Sequence, residues 1–252
     1  MSRNFELLQK IGQQQAFFDT QAEAQTMLQE PVPLMASVPS LTMGEAELEE
    51  LTKLVQRAFL LPANEAPRVV VFTSTEAGNG CSWITARVGE VLASHVAASI
   101  CLVDANLRDP GLHNQFSVEN HHGLADALRQ GEPIRAFARS LSRPNLYLLS
   151  CGSSPEEAQG LLASDRMRLR LSELRSEFDY VLIDTPAINV ANDGVVLGAA
   201  ADGMVLVLKA NSSRRETARQ TIHDLQAAKA RVLGAVLNQR TFPIPESLYH
   251  KL

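Results

Sequence analysis

The chain has 252 residues, 45% hydrophobic and only 5% aromatic, with a formal net charge of −5. That length fits one medium α/β domain with a short appendage, and the acidic balance argues against tight, salt-sensitive nucleic-acid binding. Three cysteines without metal-ligand spacing (Cys81, Cys101, Cys151), no run near the roughly 20 apolar residues of a membrane span, and a polar start over residues 1–15 predict a soluble, intracellular protein without disulfides.

The chain divides near residue 66 into an N-terminal helical extension with linker (1–66), a main domain (67–241) and a short tail (242–252). In the first part Phe5, Leu8 and Ile11 share a helical face, with Phe17 and Phe18 further on, followed by the proline cluster Pro31-Val32-Pro33. These residues read as a helix folded back on the body or docked on a partner. A second helix is predicted over 44–60, where Leu48, Leu51, Leu54, Val55 and Phe59 recur at helical spacing; Pro62 and Pro67 then mark a linker.

From Arg68 onward strand and helix alternate. Apolar strand runs fall at 69–72, 100–103, 146–149, 180–183, 204–208 and 232–237. Helical patterns fall at 82–95, 123–129, 155–177 with a break, 193–200 and 214–229. Continuous apolar strands between helices predict an α/β fold: a mostly parallel sheet covered by helices on both faces. Ligands of such sheets bind where strand ends meet helix starts.

Three segments bring chemistry to those ends. Thr75-Glu76-Ala77-Gly78-Asn79-Gly80-Cys81-Ser82 follows the first strand and opens a helix, the context of a phosphate-binding P-loop. Gly78 and Gly80 let backbone amides turn toward an anion at the helix N-terminus, and Ser82 sits where a hydroxyl reaches Mg²⁺. The second strand closes on Asp104 and the segment 178–187 on Asp184. A hydrophobic strand ending in aspartate is the Walker B arrangement, in which the acid holds Mg²⁺ directly or through water. Either aspartate alone reads as a strand-end cap; both beside a glycine loop point to a P-loop NTPase.

The order and spacing of these pieces resemble the bacterial tyrosine kinases, cytoplasmic P-loop proteins of capsule and exopolysaccharide export. That family carries a Walker A S-x-x-P-G-E-G-K-[ST], a Walker A′ D-x-D-x-R and a Walker B I-D-T-P-P. The corresponding residues here are 75–83, Asp104-Ala105-Asn106-Leu107-Arg108 and Ile183-Asp184-Thr185-Pro186-Ala187. The likeness extends through 109–116, 122–128, 202–210 and 232–240. The partition and division-site ATPases share the fold, but their signature lysine would fall on Glu76.

The resemblance implies Mg²⁺–ATP as cofactor, with Thr75 through Trp83, Arg108 and Asn238 lining the nucleotide site and Asn238 near the adenine. It implies Ser82, Asp104 and Asp184 at the metal, and Asp104, Asn106 and Asp184 as the degenerate catalytic set. It also implies a subunit ring, through the E-x-x-R-x-x-R helix that Glu50 to Gln56 matches incompletely. Its implied partner is the cytoplasmic tail of an inner-membrane, chain-length-determining polysaccharide co-polymerase. No nucleic acid is expected, and the basic run Arg214, Arg215, Arg219 reads as a solvated helix face.

Several family residues are replaced. Cys81 stands in place of the P-loop lysine, Asn106 in place of the second A′ aspartate, and Trp83 in place of a small residue. The tail offers only Tyr249 where autokinases carry a tyrosine cluster. A lysine–phosphate bond contributes roughly 1.5–3 kcal/mol, so its loss weakens nucleotide binding about tenfold to a hundredfold. Arg87 and Arg108 are candidate substitutes for the lost charge. The expectation is a pseudokinase-like regulator or scaffold; the alternatives are an active autokinase using another cation, or a positioning ATPase. Cys81 is expected to be a neutral thiol, with a reactive thiolate as the rival state.

Overall fold

In the computed structural model, residues 44–61, 66–153 and 155–240 are described. The expected N-terminal helix (Phe5 to Phe18), the 31–33 cluster and Tyr249 lie outside them.

The chain enters through α1 (Glu45–Val55), which runs on into one π-helical turn, Gln56–Leu60. Leu51, Val55, Ala58 and Phe59 are buried in the same core as the sheet. Although α1 precedes residue 66, the expected domain boundary, it packs as part of the main body.

The elements that follow are β1 (Val69–Ser74), α2 (Cys81–His95), β2 (Ile100–Asp104), α3 (Leu112–Gln115) and α4 (Leu124–Arg129). Next come a 3-10 turn (Ile134–Phe137), β3 (Arg139–Ser140), β4 (Leu146–Leu149), α5 (Pro155–Ala158), a second 3-10 turn (Gln159–Leu161) and α6 (Asp165–Glu177). The last are β5 (Tyr180–Asp184), α7 (Asp193–Ala200), β6 (Gly203–Lys209), α8 (Arg215–Ala227) and β7 (Val232–Asn238).

The seven strands lie in the order β3-β4-β2-β5-β1-β6-β7 and are parallel except for the short edge strand β3. Strands β1, β2 and β5 are buried on both faces, so they need apolar residues at almost every position. Alternation sorts them between two cores. Val70, Phe72, Ile100, Leu102 and Leu182 meet α1, α2 and α3 on one face. Val69, Val71, Val103, Val181 and Ile183 meet α4, α6, α7 and α8 on the other.

Arg170 of α6 ties the second face together. It is 6% exposed, and its guanidinium donates to Ala127 O, Gln130 O and Glu132 O at the end of α4, and to Glu173 Oε2. Among the described residues no helix is long and apolar enough to cross a membrane.

Candidate nucleotide and metal site

The loop between β1 and α2 forms the floor of the site. Gly78 and Gly80 take positive φ of 81° and 84°, conformations that side chains resist. The turn lets α2, fifteen residues long, present its N-terminus to the strand ends, where free amides and the helix dipole favour an anion. A Cβ on Gly78 would meet nothing within 4 Å, so the space before the loop is open there.

The two aspartates come together. Asp104 and Asp184 are register partners on β2 and β5, and Asp184 is level with Phe72 of β1. By strand alternation both project to the face covered by α2. Asp104 accepts backbone hydrogen bonds from Asn106, Gly111 and Leu112 at 3.0–3.2 Å. Both oxygens of Asp184 are buried without a partner in good hydrogen-bond geometry. The side chains of Ser82, Cys81 and Thr85 lie near enough to favour its ionised form nonetheless.

Burial raises the Asp104 carboxyl well above the usual carboxylate range, and the neighbouring charge of Asp184 raises it further. Burial also raises Asp184, against the opposing effect of Ser82, Cys81 and Thr85. Two facing carboxylates, of which Asp184 has both oxygens orphaned, and an adjacent hydroxyl have the oxygen chemistry that a hard divalent cation takes. No cluster of three or more acidic, thiol or imidazole ligands exists among the described residues, so a cation here would complete its shell with water or phosphate.

Cys81 opens α2 where the lysine was expected. The residue is half-buried overall, with its thiol turned inward to Asp184; burial and that negative charge push it far above an ordinary thiol. The neutral form therefore prevails, as expected, and the rival thiolate is disfavoured. Trp83 packs partly buried against the α2-side core, two positions further on.

The remaining expected residues separate into two groups. Thr75 and Asn79 are buried beneath the loop, whereas Glu76, Ala77 and Gly78 lie at its more exposed tip. Asn106 closes its own turn, its Oδ1 accepting from Asp109 N at 3.2 Å. Arg108 is 41% exposed and reaches Asp193 Oδ2 at 3.7 Å. Arg87 is committed elsewhere: it is 1% exposed, pairs with Glu90, donates to Gln115 O and lies over the Phe116 ring. Asn238 sits against the loop, donating to Asn79 O at 2.9 Å.

Sequence reading missed Lys209. It ends β6, is paired with Asn238 of β7, and by alternation falls with Val205 and Val207 on the α2 face. Its ammonium has no anionic partner among the described residues. Strand parity counted forward from Val205 was the signal that could have singled it out.

A glycine loop feeding a buried helix, flanked by two strand-end aspartates on a parallel sheet, defines a P-loop NTPase-like protein. Comparison with known proteins refines this. Residues 68–227 match the family described as cellulose biosynthesis protein BcsQ. Tyrosine-protein kinase YwqD of Bacillus subtilis (strain 168) is 32% identical over 169 residues, 67% of this chain and 71% of that protein. A putative tyrosine-protein kinase EpsB of Ralstonia nicotianae is 30% identical over 194 residues, 77% of this chain but only 26% of that protein. The solved BceF tyrosine kinase domain superposes with a TM-score of 0.65 at 26% identity, covering 89% of this chain and 88% of that one. The chain belongs to the bacterial tyrosine kinase family within the BcsQ-like P-loop proteins.

Proposed function

We propose that this chain is a degenerate member of the family, a regulator or scaffold in exopolysaccharide or capsule synthesis and export, with weak or no phosphotransfer. The observation that carries this reading is the neutral thiol of Cys81 at the position of the P-loop cation, turned toward Asp184. Phosphoryl transfer depends on positive charge around the moving group, and its acceptance by the loop on a fixed cation.

The residues present still fit the family's cofactor in part. The amides of Gly78 to Ser82 would hold phosphate, and the Ser82 hydroxyl with Asp104 and Asp184 would hold Mg²⁺. Bound Mg²⁺–ATP would supply the phosphoryl group and a metal to polarise it. The chain's own side chains orient that assembly and bury its carboxylates from water. Asn106 cannot take a proton as a carboxylate would, and its amide is already engaged in its own turn.

As its partner we propose the cytoplasmic tail of an inner-membrane polysaccharide co-polymerase. That tail would recruit the protein to the membrane, and a subunit ring built through α1 would be its assembly. Both rest on the family likeness.

A second reading, an active autokinase using a substitute cation, is favoured by one observation: Lys209 stands on the loop's side of the sheet without an anionic partner. Mass-spectrometric autophosphorylation of the purified protein with Mg²⁺–ATP separates the two. The regulator reading predicts no phosphotyrosine above the level of the Asp184→Ala variant. A signal that Asp184→Ala abolishes would overturn it.

A further inference from the structure

In a P-loop the backbone amides cradle the phosphate and the lysine reaches it. This one lacks the lysine, yet it is fastened from behind by the far side of the sheet. Asn238, at the end of β7, donates from Nδ2 to Asn79 O at 2.9 Å. The adjacent Gln239, in the left-handed region at φ 56°, donates to Gly78 O at 3.4 Å.

The Asn79 side chain reaches back the other way. Its Nδ2 donates to Thr75 Oγ1 at 3.2 Å, Val207 O at 3.3 Å and Ser213 Oγ at 3.4 Å. Ser213 Oγ in turn accepts from Lys209 N at 3.0 Å. The approach is close: a Cβ on Gly80 would fall 2.3 Å from Asn238 Nδ2, so only glycine leaves room for that amide.

We propose that Asn238 and Asn79 are positioning residues that latch the loop from β6 and β7, holding its amides in the anion-binding conformation without lysine or ligand. The direction of the bond is fixed by chemistry. Asn79 O can only accept, so Asn238 must present its nitrogen, and an isosteric carboxylate there would face a carbonyl oxygen. Asn79 is 2% exposed, so water offers its carbonyl and amide little replacement. The latch also ties the loop to the β6–α8 connection through Ser213. This deepens the reading above, because it explains how a P-loop without its cation keeps its form.

The test uses the full chain without nucleotide, so it stands whether or not nucleotide binds. Trp83 is the only tryptophan and lies in the first turn of α2, so its emission reports on the loop. Asn238→Asp keeps the side-chain size and removes the donor. It is expected to speed amide exchange over residues 77–82 by roughly three- to tenfold, the worth of one hydrogen bond. Trp83 emission should move with it, while exchange in β2 and β4 stays as in the wild type. Asn79→Ala should act in the same direction, and Gln239→Ala, milder and exposed, serves where the others fold poorly. Unchanged loop exchange in Asn238→Asp and Asn79→Ala would overturn the proposal. So would equal acceleration in every strand, which is the mark of general destabilisation.

Discussion

Asp104 and Asp184 face each other in register on adjacent strands, each wholly buried. Neither has an ammonium or guanidinium within salt-bridge reach among the described residues. The protein thus keeps two like charges together in its interior, an arrangement that costs stability unless a proton or a cation relieves it.

The pH dependence follows from that relation. Both carboxyls are raised above the ordinary value near 3.9 of an unfolded chain. The folded state therefore binds protons more tightly than the unfolded state. The pair's favourable contribution is complete below about pH 4 and is lost as pH climbs through the raised values. In buffer without divalent cations, Asp184→Asn should raise the thermal midpoint at pH 7.5 by a few degrees, with a smaller gain at pH 5. A lowered midpoint at pH 7.5 would mean that the carboxylate is satisfied in a way the structure does not display.

Cys81 should be sluggish toward alkylation. Its thiol is raised by burial and by the charge of Asp184, so little thiolate exists at neutral pH. Iodoacetamide labelling at pH 7.5, followed by peptide mass spectrometry, should find Cys81 slower than a free model thiol. Asp184→Asn removes the opposing charge and should speed the labelling. Reaction faster than the model thiol would restore the reactive-thiolate alternative.

Arg170 anchors α6 to the end of α4 through several buried carbonyls. Arg170→Leu fills some of the volume but leaves those oxygens unpaired. It should cost about 3 kcal/mol in a urea unfolding series, with Cys81 labelling of the folded protein unchanged. A cost below about 1 kcal/mol would show that water replaces the guanidinium.

Lys209→Met tests the substitute-cation reading separately from the fold. If its ammonium assists an anion at the loop, affinity for Mg²⁺–ADP should fall severalfold, with the melting midpoint preserved. No change in affinity would leave the loop amides and the metal as the binding elements.

Much of this architecture was legible in the residue pattern, for reasons of burial. Strands β1, β2, β4, β5 and β6 are enclosed by helices, so each announced itself as an uninterrupted apolar run, and α7 was read at its observed bounds of Asp193–Ala200. The break expected in 155–177 appears where the 3-10 turn ends and Ser164 precedes α6. Strand β3 and helix α3 are two and four residues long, too short for any periodicity to register. Both aspartates were identified, but their register was not, because it is set by pairing between strands 80 positions apart. The latch was hidden for the same reason: Asn79 and Asn238 meet only when β7 closes the edge of the sheet. The expectation for Asn238 concerned a base; what the sequence did not disclose is the bond from its amide nitrogen to the loop's own carbonyl.

The central claim is that the loop retains the shape of a nucleotide site and lacks its charge. Titration calorimetry with Mg²⁺–ADP on the wild type and on Cys81→Lys tests this most directly. The account predicts weak or undetectable binding by the wild type and a gain of about tenfold to a hundredfold in Cys81→Lys. Tight binding by the wild type, or no gain on restoring the lysine, would contradict it.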